Sequence, residues 1–353
     1  MDGMNPVREA ARPGKPVVDP ANWHGNDLMA RADWMYVADS SETTHLVDMA
    51  RKFAKRLGDD AGRLLTTTRA DFDLGPFADR LQAITAQVKD GLGLALYRGL
   101  PMDDLSPLEA AIIYWGMGRH MGEAMSNNPE GDMMGHVMDA GKDYLDPKHR
   151  GYQTSATLDY HCDQTDIVTL LCIKTAKSGG RSKISSSIAV YNQLLRDHPD
   201  LVAVLCRPFC WTKHSEKDDG EANYYESPVF NFLGDVLCTS FGPKHMEKGH
   251  DLAEAPDMTR EQLEALRTME QVAEDLHAEM ELERGDIQFV NNYTILHTRT
   301  AFEDWPQLER KCVLWRLWLM RDGFRPSTPY SEQWVKGVSL AKSTGRIKLV
   351  YED

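Results

Sequence analysis

Three apolar runs in the second half of the chain set the strongest constraint on its fold. They are DIVTLLCI (166–173), GDIQFVNNYTILH (285–297) and CVLWRLWLM (312–320). Each is a near-continuous apolar stretch bounded by Gly, Asp or Lys, the pattern of a strand buried on both faces. LALYRGL (94–100) reads the same way, and RSKISSS (181–187) alternates like a half-buried strand. VFNF (229–232) and VLCTSF (236–241) flank Leu233-Gly234-Asp235, which predicts a hairpin. Helical patterns lie between and before these strands. One covers about 42–57 and stops at Gly58, and one runs from Pro76 to Lys89. A third opens at the capping box Ser106-Pro107-Leu108-Glu109 and runs to about His120. IAVYNQLLRD, stopped before Pro199, and a charged helix capped by Thr259 and Gln262 interrupt the strands. Strands divided by a helical insertion, with helices gathered at the N-terminal end, predict α+β: a β-sandwich with helical buttresses.

The 353 residues suffice for one elaborated domain or two small ones. The reading divides them into a flexible N-terminal segment, 1–22, with four prolines and no periodicity, and one domain over 23–353. No apolar run reaches membrane-spanning length, and no apolar leader is visible at the N-terminus. Six scattered cysteines without a CxxC pair suit free thiols in a reducing compartment, so a cytoplasmic chain is expected. A net charge of −14 argues against a nucleic-acid partner, which needs clustered cations. The expected partner is a small molecule, with neither nucleic acid nor membrane; assembly into a homo-oligomer is left open.

Chemistry concentrates at Tyr160-His161-Cys162-Asp163. In an extended segment His161 and Asp163 project to one side and Cys162 to the other. An imidazole and a carboxylate so placed can take adjacent positions on one metal, although His-x-Asp alone is a weak signal. His297 ends the run that begins at the turn Gly285-Asp286, in apolar surroundings unusual for a histidine. Two histidines and one carboxylate leave three coordination positions open, as a non-haem Fe(II) oxygenase requires. On the last strand Arg310, Cys312, Leu314 and Arg316 are expected on one face, and an Arg beneath apolar neighbours needs an anion.

His161-x-Asp163, the turn Lys-Ser-Gly-Gly-x-Ser (177–182) and the run GDIQFVNNYTILHTRTAFEDW…RLWL (285–319) resemble the taurine dioxygenase family, especially its clavaminate-synthase-like branch. RGLP (98–101) and GHVMD (135–139) extend the likeness over nearly the whole chain after about residue 30. The resemblance implies a double-stranded β-helix (jelly roll) core with N-terminal helices and a helical insertion. It also implies Fe(II), the co-substrate 2-oxoglutarate and O₂, with His161, Asp163 and His297 as metal ligands. Ser182 falls where the family places a hydroxyl on the 2-oxoglutarate carboxylate. Many relatives carry an Arg at the start of the last strand to clamp the distal carboxylate; in this register the residue is Cys312. Arg316, four residues on, is the preferred substitute and Arg310 the reserve. Asn127 departs from the Gln expected there.

The activity implied is oxidation of a C–H bond of a small molecule, a secondary metabolite or amino-acid derivative, by hydroxylation, desaturation or cyclisation. Two alternatives stand beside it: an iron oxygenase that does not use 2-oxoglutarate, and a metal-binding jelly roll without turnover. Asn128, Trp211, Tyr224 and Tyr225 are the candidate substrate contacts.

Overall fold

The computed structural model describes residues 7–58, 60–142, 151–213, 217, 220–335, 337–338 and 345–350. The apolar runs pair into one large sheet. Its strands, in spatial order, are Met35–Val37, Leu94–Arg98, Ile287–Asn291, Ile167–Lys174, Val313–Met320 and Glu123–Met125, with Gly135–Val137 also on Val313–Met320. All of these pairs are antiparallel except the first. A smaller antiparallel sheet comprises Ala278–Met280, Ser182–Ser186 and Ile295–Arg299.

The run 285–297, read as one strand, is two. Ile287–Asn291 belongs to the large sheet and Ile295–Arg299 to the small one. Asn291 and Asn292 make the crossing, because their amides can satisfy backbone groups that leave the ladder. The Asn291 side chain donates to the Val88 carbonyl and accepts from Tyr293 N–H. Gly285 opens the run at φ +90°, where a Cβ would lie 2.3 Å from the Leu100 carbonyl oxygen, so only glycine fits the turn.

Alternation along each strand separates two apolar layers. Trp315, Leu317 and Leu319 share one apolar cluster with the helices Ser40–Leu57, Phe77–Asp90 and Pro107–Met121, which contribute Phe53, Phe77 and Ile112 to it. Trp318, with Val168, Val290, Ile184 and Ile295, fills the space between the sheets. A third cluster joins Ser187–Asp197, Arg260–Asp275 and the hairpins of the insertion. The helix starts predicted at Ser106 and Thr259 carry full capping boxes.

The N-terminal segment departs from its expectation where it is described; residues 1–6 lie outside the described residues. Arg8 pairs with buried Asp19 at 2.6 Å, Asn192 holds both backbone groups of Val17, and Ala11, Val17 and Ala21 are buried. Small apolar residues between the prolines anchor it against the helix Ser187–Asp197. Among the described residues no helix is long and apolar enough to cross a membrane.

Candidate metal centre

His161 and His297 are joined through their backbones. Each N–H donates to the other's carbonyl, at 3.1 and 3.0 Å, forming an isolated antiparallel bridge from His161 to the strand Ile295–Arg299. That bridge fixes the two imidazoles with ring centroids 4.4 Å apart. Asp163 follows on the same side as His161, as the alternation predicts, and its backbone N–H donates to Asn292 Oδ1 at 3.1 Å. Asn292 also donates to the Thr165 carbonyl at 2.9 Å, so the crossing between the sheets braces the carboxylate strand. Cys162 points the other way, its Sγ nearest the Thr239 and Ile295 carbonyls.

The donor atoms converge. His161 Nε2 lies 3.9 Å from Asp163 Oδ1 and His297 Nε2 lies 3.7 Å from Asp163 Oδ2, and one ligand atom from each residue falls within 4.8 Å of the others. His161 Nδ1 sits 2.9 Å from the Asp159 carbonyl. A carbonyl only accepts, so Nδ1 carries the proton and the Nε2 lone pair faces its partners, the tautomer a metal needs. Burial first, then the neighbouring His297, holds His161 down to about 4, keeping the imidazole neutral. Burial alone would raise the Asp163 carboxyl, but Arg316 and the two imidazoles outweigh it and hold the group well below the usual carboxylate range. Two imidazole nitrogens and one carboxylate, open toward a cavity, match the facial set of a non-haem iron site.

Arg316 is 6% exposed and reaches this carboxylate directly, Nη1 to Asp163 Oδ2 at 3.2 Å. Its Nε donates to Asn127 Oδ1 at 2.9 Å, and its plane lies between the rings of Tyr152 and Trp318. Trp318 Nε1 donates to Asp163 Oδ2 at 2.9 Å. The departure at Asn127 is therefore a brace for Arg316.

One cavity between the sheets contains the triad, Arg316, Trp318, Ser182, Gln288 and Arg299. Ser182 Oγ and Gln288 bond across it, and Ser182 stands opposite Arg299 in the small sheet. Arg310 is elsewhere: exposed, stacked over Trp305 at 3.5 Å. Of the residues grouped on one face, Leu314 and Arg316 both border the cavity, whereas Arg310 and Cys312 precede the strand, which begins at Val313 and slips register between Val313 and Leu314.

The four aromatic and amide candidates do not line this cavity. Asn128 closes its own loop through Asp132, donating at 2.7 Å and accepting at 3.0 Å. Trp211 is fully buried, donates to the Ser227 carbonyl and stacks with Tyr225. Tyr224 continues the same hairpin opposite Thr212. Trp211 packs against Tyr225 and Tyr330, and of these three only Tyr330 borders the cavity. Gln164, Arg299, Lys244 and Lys248 line it and were not read from the sequence.

Residues 58–318 match the family described as taurine catabolism dioxygenase TauD, TfdA family. The chain belongs to this dioxygenase family. It is 28% identical over 328 residues to FR-33289 synthase of Streptomyces rubellomurinus (strain ATCC 31215), covering 91% of this chain and 95% of that protein. It is 27% identical over 304 residues to the taurine hydroxylase-like protein SAT17 of Stachybotrys chartarum (strain CBS 109288 / IBT 7711), covering 80% and 74%. Its fold is similar to that of an asparagine oxygenase solved with Fe(II), 2S,3S-3-hydroxyasparagine and succinate, with a TM-score of 0.65, 18% identity and coverage of 81% and 93%. The non-haem iron oxygenase OrfP, solved with Fe and alpha-ketoglutaric acid, gives a TM-score of 0.61, 14% identity and coverage of 82% and 94%.

Proposed function

We propose that this chain is an Fe(II)- and 2-oxoglutarate-dependent oxygenase that oxidises a C–H bond of a small molecule, an amino-acid derivative or secondary metabolite. The convergence of His161, Asp163 and His297 beside an open cavity carries the reading. When bound, iron and its co-substrate supply the oxidising chemistry, consuming O₂ and releasing succinate and CO₂. The protein's work is to hold, orient and exclude. The two imidazoles and the Asp163 carboxylate supply the ligand set, while Arg316 and Trp318 fix the carboxylate's rotamer.

Arg316, beside Asp163, holds the distal carboxylate of 2-oxoglutarate, with Ser182 of the same cavity as a second donor. Arg310 takes no part in this arrangement. Val168, Leu170 and Leu314 wall the space between and exclude water from the reacting centre. The test is succinate formation from 2-oxoglutarate in the presence of Fe(II). Succinate that appears only with both, and disappears in His161→Ala, supports the reading; iron binding without succinate favours a metal-binding protein without turnover.

A further inference from the structure

The metal centre is braced from behind by a helix that does not border the cavity, Arg260–Asp275 of the insertion. His297 sits on Ile295–Arg299, which lies between two neighbours: Ser182–Ser186 on one side and the segment carrying His161 on the other. Each neighbour sends one polar side chain to the helix, and both reach the same carboxylate. Lys183 Nζ donates to Glu274 Oε1 at 2.5 Å, and the Tyr160 hydroxyl donates to Glu274 Oε2 at 2.8 Å. Lys183 immediately precedes Ile184, the partner of His297, and Tyr160 immediately precedes His161. The alternation that turns His161 inward turns Tyr160 outward, into the apolar cluster around this helix, where it is 3% exposed. Glu274 therefore spans the strand of His297 and ties its two flanking segments together.

His161 lies in no strand of its own. Its register against His297 rests on the isolated bridge and on the Leu158 N–H, which donates to the Arg299 carbonyl at 3.3 Å. So short a ladder gains from a tie across it. The end of the helix that presents Glu274 is itself fixed. Gly25 N–H donates to the Leu276 carbonyl at 2.8 Å, and a Cβ on Gly25 would lie 1.7 Å from the His277 carbonyl oxygen. Ala265, Leu266, Met269 and Ala273 bury the helix's apolar face. Glu274 stands in a last turn without a basic residue, where the helix dipole disfavours a carboxylate. The two donors offset that cost only while both segments keep their places.

We propose that Glu274 is a positioning residue for the metal centre, an inference that rests on the triad reading above. By holding Tyr160 and Lys183 on one carboxylate, it sets the separation of His161 from His297 and so the affinity of the triad for its metal. It touches no ligand atom and acts through the two flanking segments.

The test titrates the metal-free full chain with Co(II), following the visible absorption of the bound ion, with urea midpoints recorded on the same proteins. Glu274→Ala should bind Co(II) about tenfold more weakly, with an altered band, because the imidazoles shift. Glu274→Gln keeps one acceptor oxygen without the charge and should fall between this variant and the natural chain. Lys183→Met should weaken binding by itself but by less than about twofold in the Glu274→Ala background, since both act through one contact. Arg267→Gln breaks the pair between the same helix and Glu247, and should leave Co(II) affinity unchanged. The Glu274 side chain is 43% exposed, so its loss leaves the core packed; if Glu274→Ala still fails to fold, Glu274→Gln and Tyr160→Phe carry the comparison. A merely structural role lowers the urea midpoint and leaves the Co(II) affinity and band of the folded chain untouched. That result, or full additivity of Lys183→Met with Glu274→Ala, would overturn the proposal. If the natural chain binds no Co(II), or His161→Ala binds it as tightly, the triad reading itself fails and the proposal falls with it.

Discussion

Replacing Arg316 with Met tests how the triad carboxylate is held. Arg316 and Asp163 have side chains 7% and 9% exposed and stand 3.2 Å apart. At that separation, with an effective dielectric of about 20, the attraction is on the order of 5 kcal/mol. Removing one partner of a buried pair costs about 3–5 kcal/mol, because the other charge is left buried and unmatched. The Asn127 amide oxygen loses its donor as well. In metal-free protein the variant should therefore be less stable to urea by about 3–5 kcal/mol at pH 7.5. A divalent ion on the triad replaces the lost positive charge, so the stability gained on adding Fe(II) or Co(II) should be larger in Arg316→Met than in the natural chain. Arg316→Lys should fall between them, keeping the charge but losing the fork that joins Asn127 to Asp163. Urea denaturation of all three proteins, with chelator and with excess metal, makes the comparison. A metal-free loss below about 1 kcal/mol, the range of an exposed ion pair, would refute the buried pairing. Equal metal-induced gains would refute the claim that Arg316 and the ion share one carboxylate.

His161→Ala, Asp163→Ala and His297→Ala should each abolish Fe(II)-dependent succinate formation with the fold retained by circular dichroism. Near-normal turnover and iron content in any one would remove that residue from the site. Asp163→Glu should keep a small part of the activity at most, because the extra methylene shifts the carboxylate against two fixed imidazoles. His161 titrates at about 4 in the folded chain against about 6.5 unfolded, so the unfolded state binds the extra proton first. Its contribution to stability is complete above pH ~6.5 and is lost as pH falls toward about 4. Metal-free protein should accordingly destabilise over that window, and His161→Gln should flatten the slope in urea midpoints measured from pH 7.5 to 4.5. Asn292→Ala removes the acceptor of the Asp163 N–H and the donor to Thr165, and should cost about 1–3 kcal/mol and weaken Fe(II) retention. Unchanged Fe(II) affinity by equilibrium dialysis would show that Asn292 braces the fold alone. All six cysteines are unpaired in the structure, so thiol counting under denaturing, non-reducing conditions should find six.

The centre was legible because its information is local. The two-residue period of an extended chain puts His161 and Asp163 on one side, and an apolar strand delivers His297. The strand break at Asn291-Asn292 was written in two amides inside an apolar run, a signal passed over in favour of one long strand. The start of the last strand misled for a physical reason. A register slip between Val313 and Leu314 is a property of pairing with Ile167–Lys174, which periodicity along one strand cannot reveal. Trp211, Tyr224 and Tyr225 illustrate another limit: the sequence places aromatics near the site, but whether they meet a ligand or one another depends on packing between distant elements. The helix Pro243–His250 did carry a local start signal, Gly242-Pro243, but nothing in its composition says which face meets the cavity. Gln164 sits beside a metal ligand in sequence, yet its unmet amide is visible only once the surrounding atoms are placed.

Anomalous diffraction at the iron edge, from crystals grown anaerobically with Fe(II) and 2-oxoglutarate, tests the central claim most directly. A single peak is expected among His161 Nε2, His297 Nε2 and the Asp163 carboxylate, with the distal carboxylate of 2-oxoglutarate on Arg316 and Ser182. An iron peak bound by any other set of side chains, or a triad without iron in crystals that hold it elsewhere, would contradict the account.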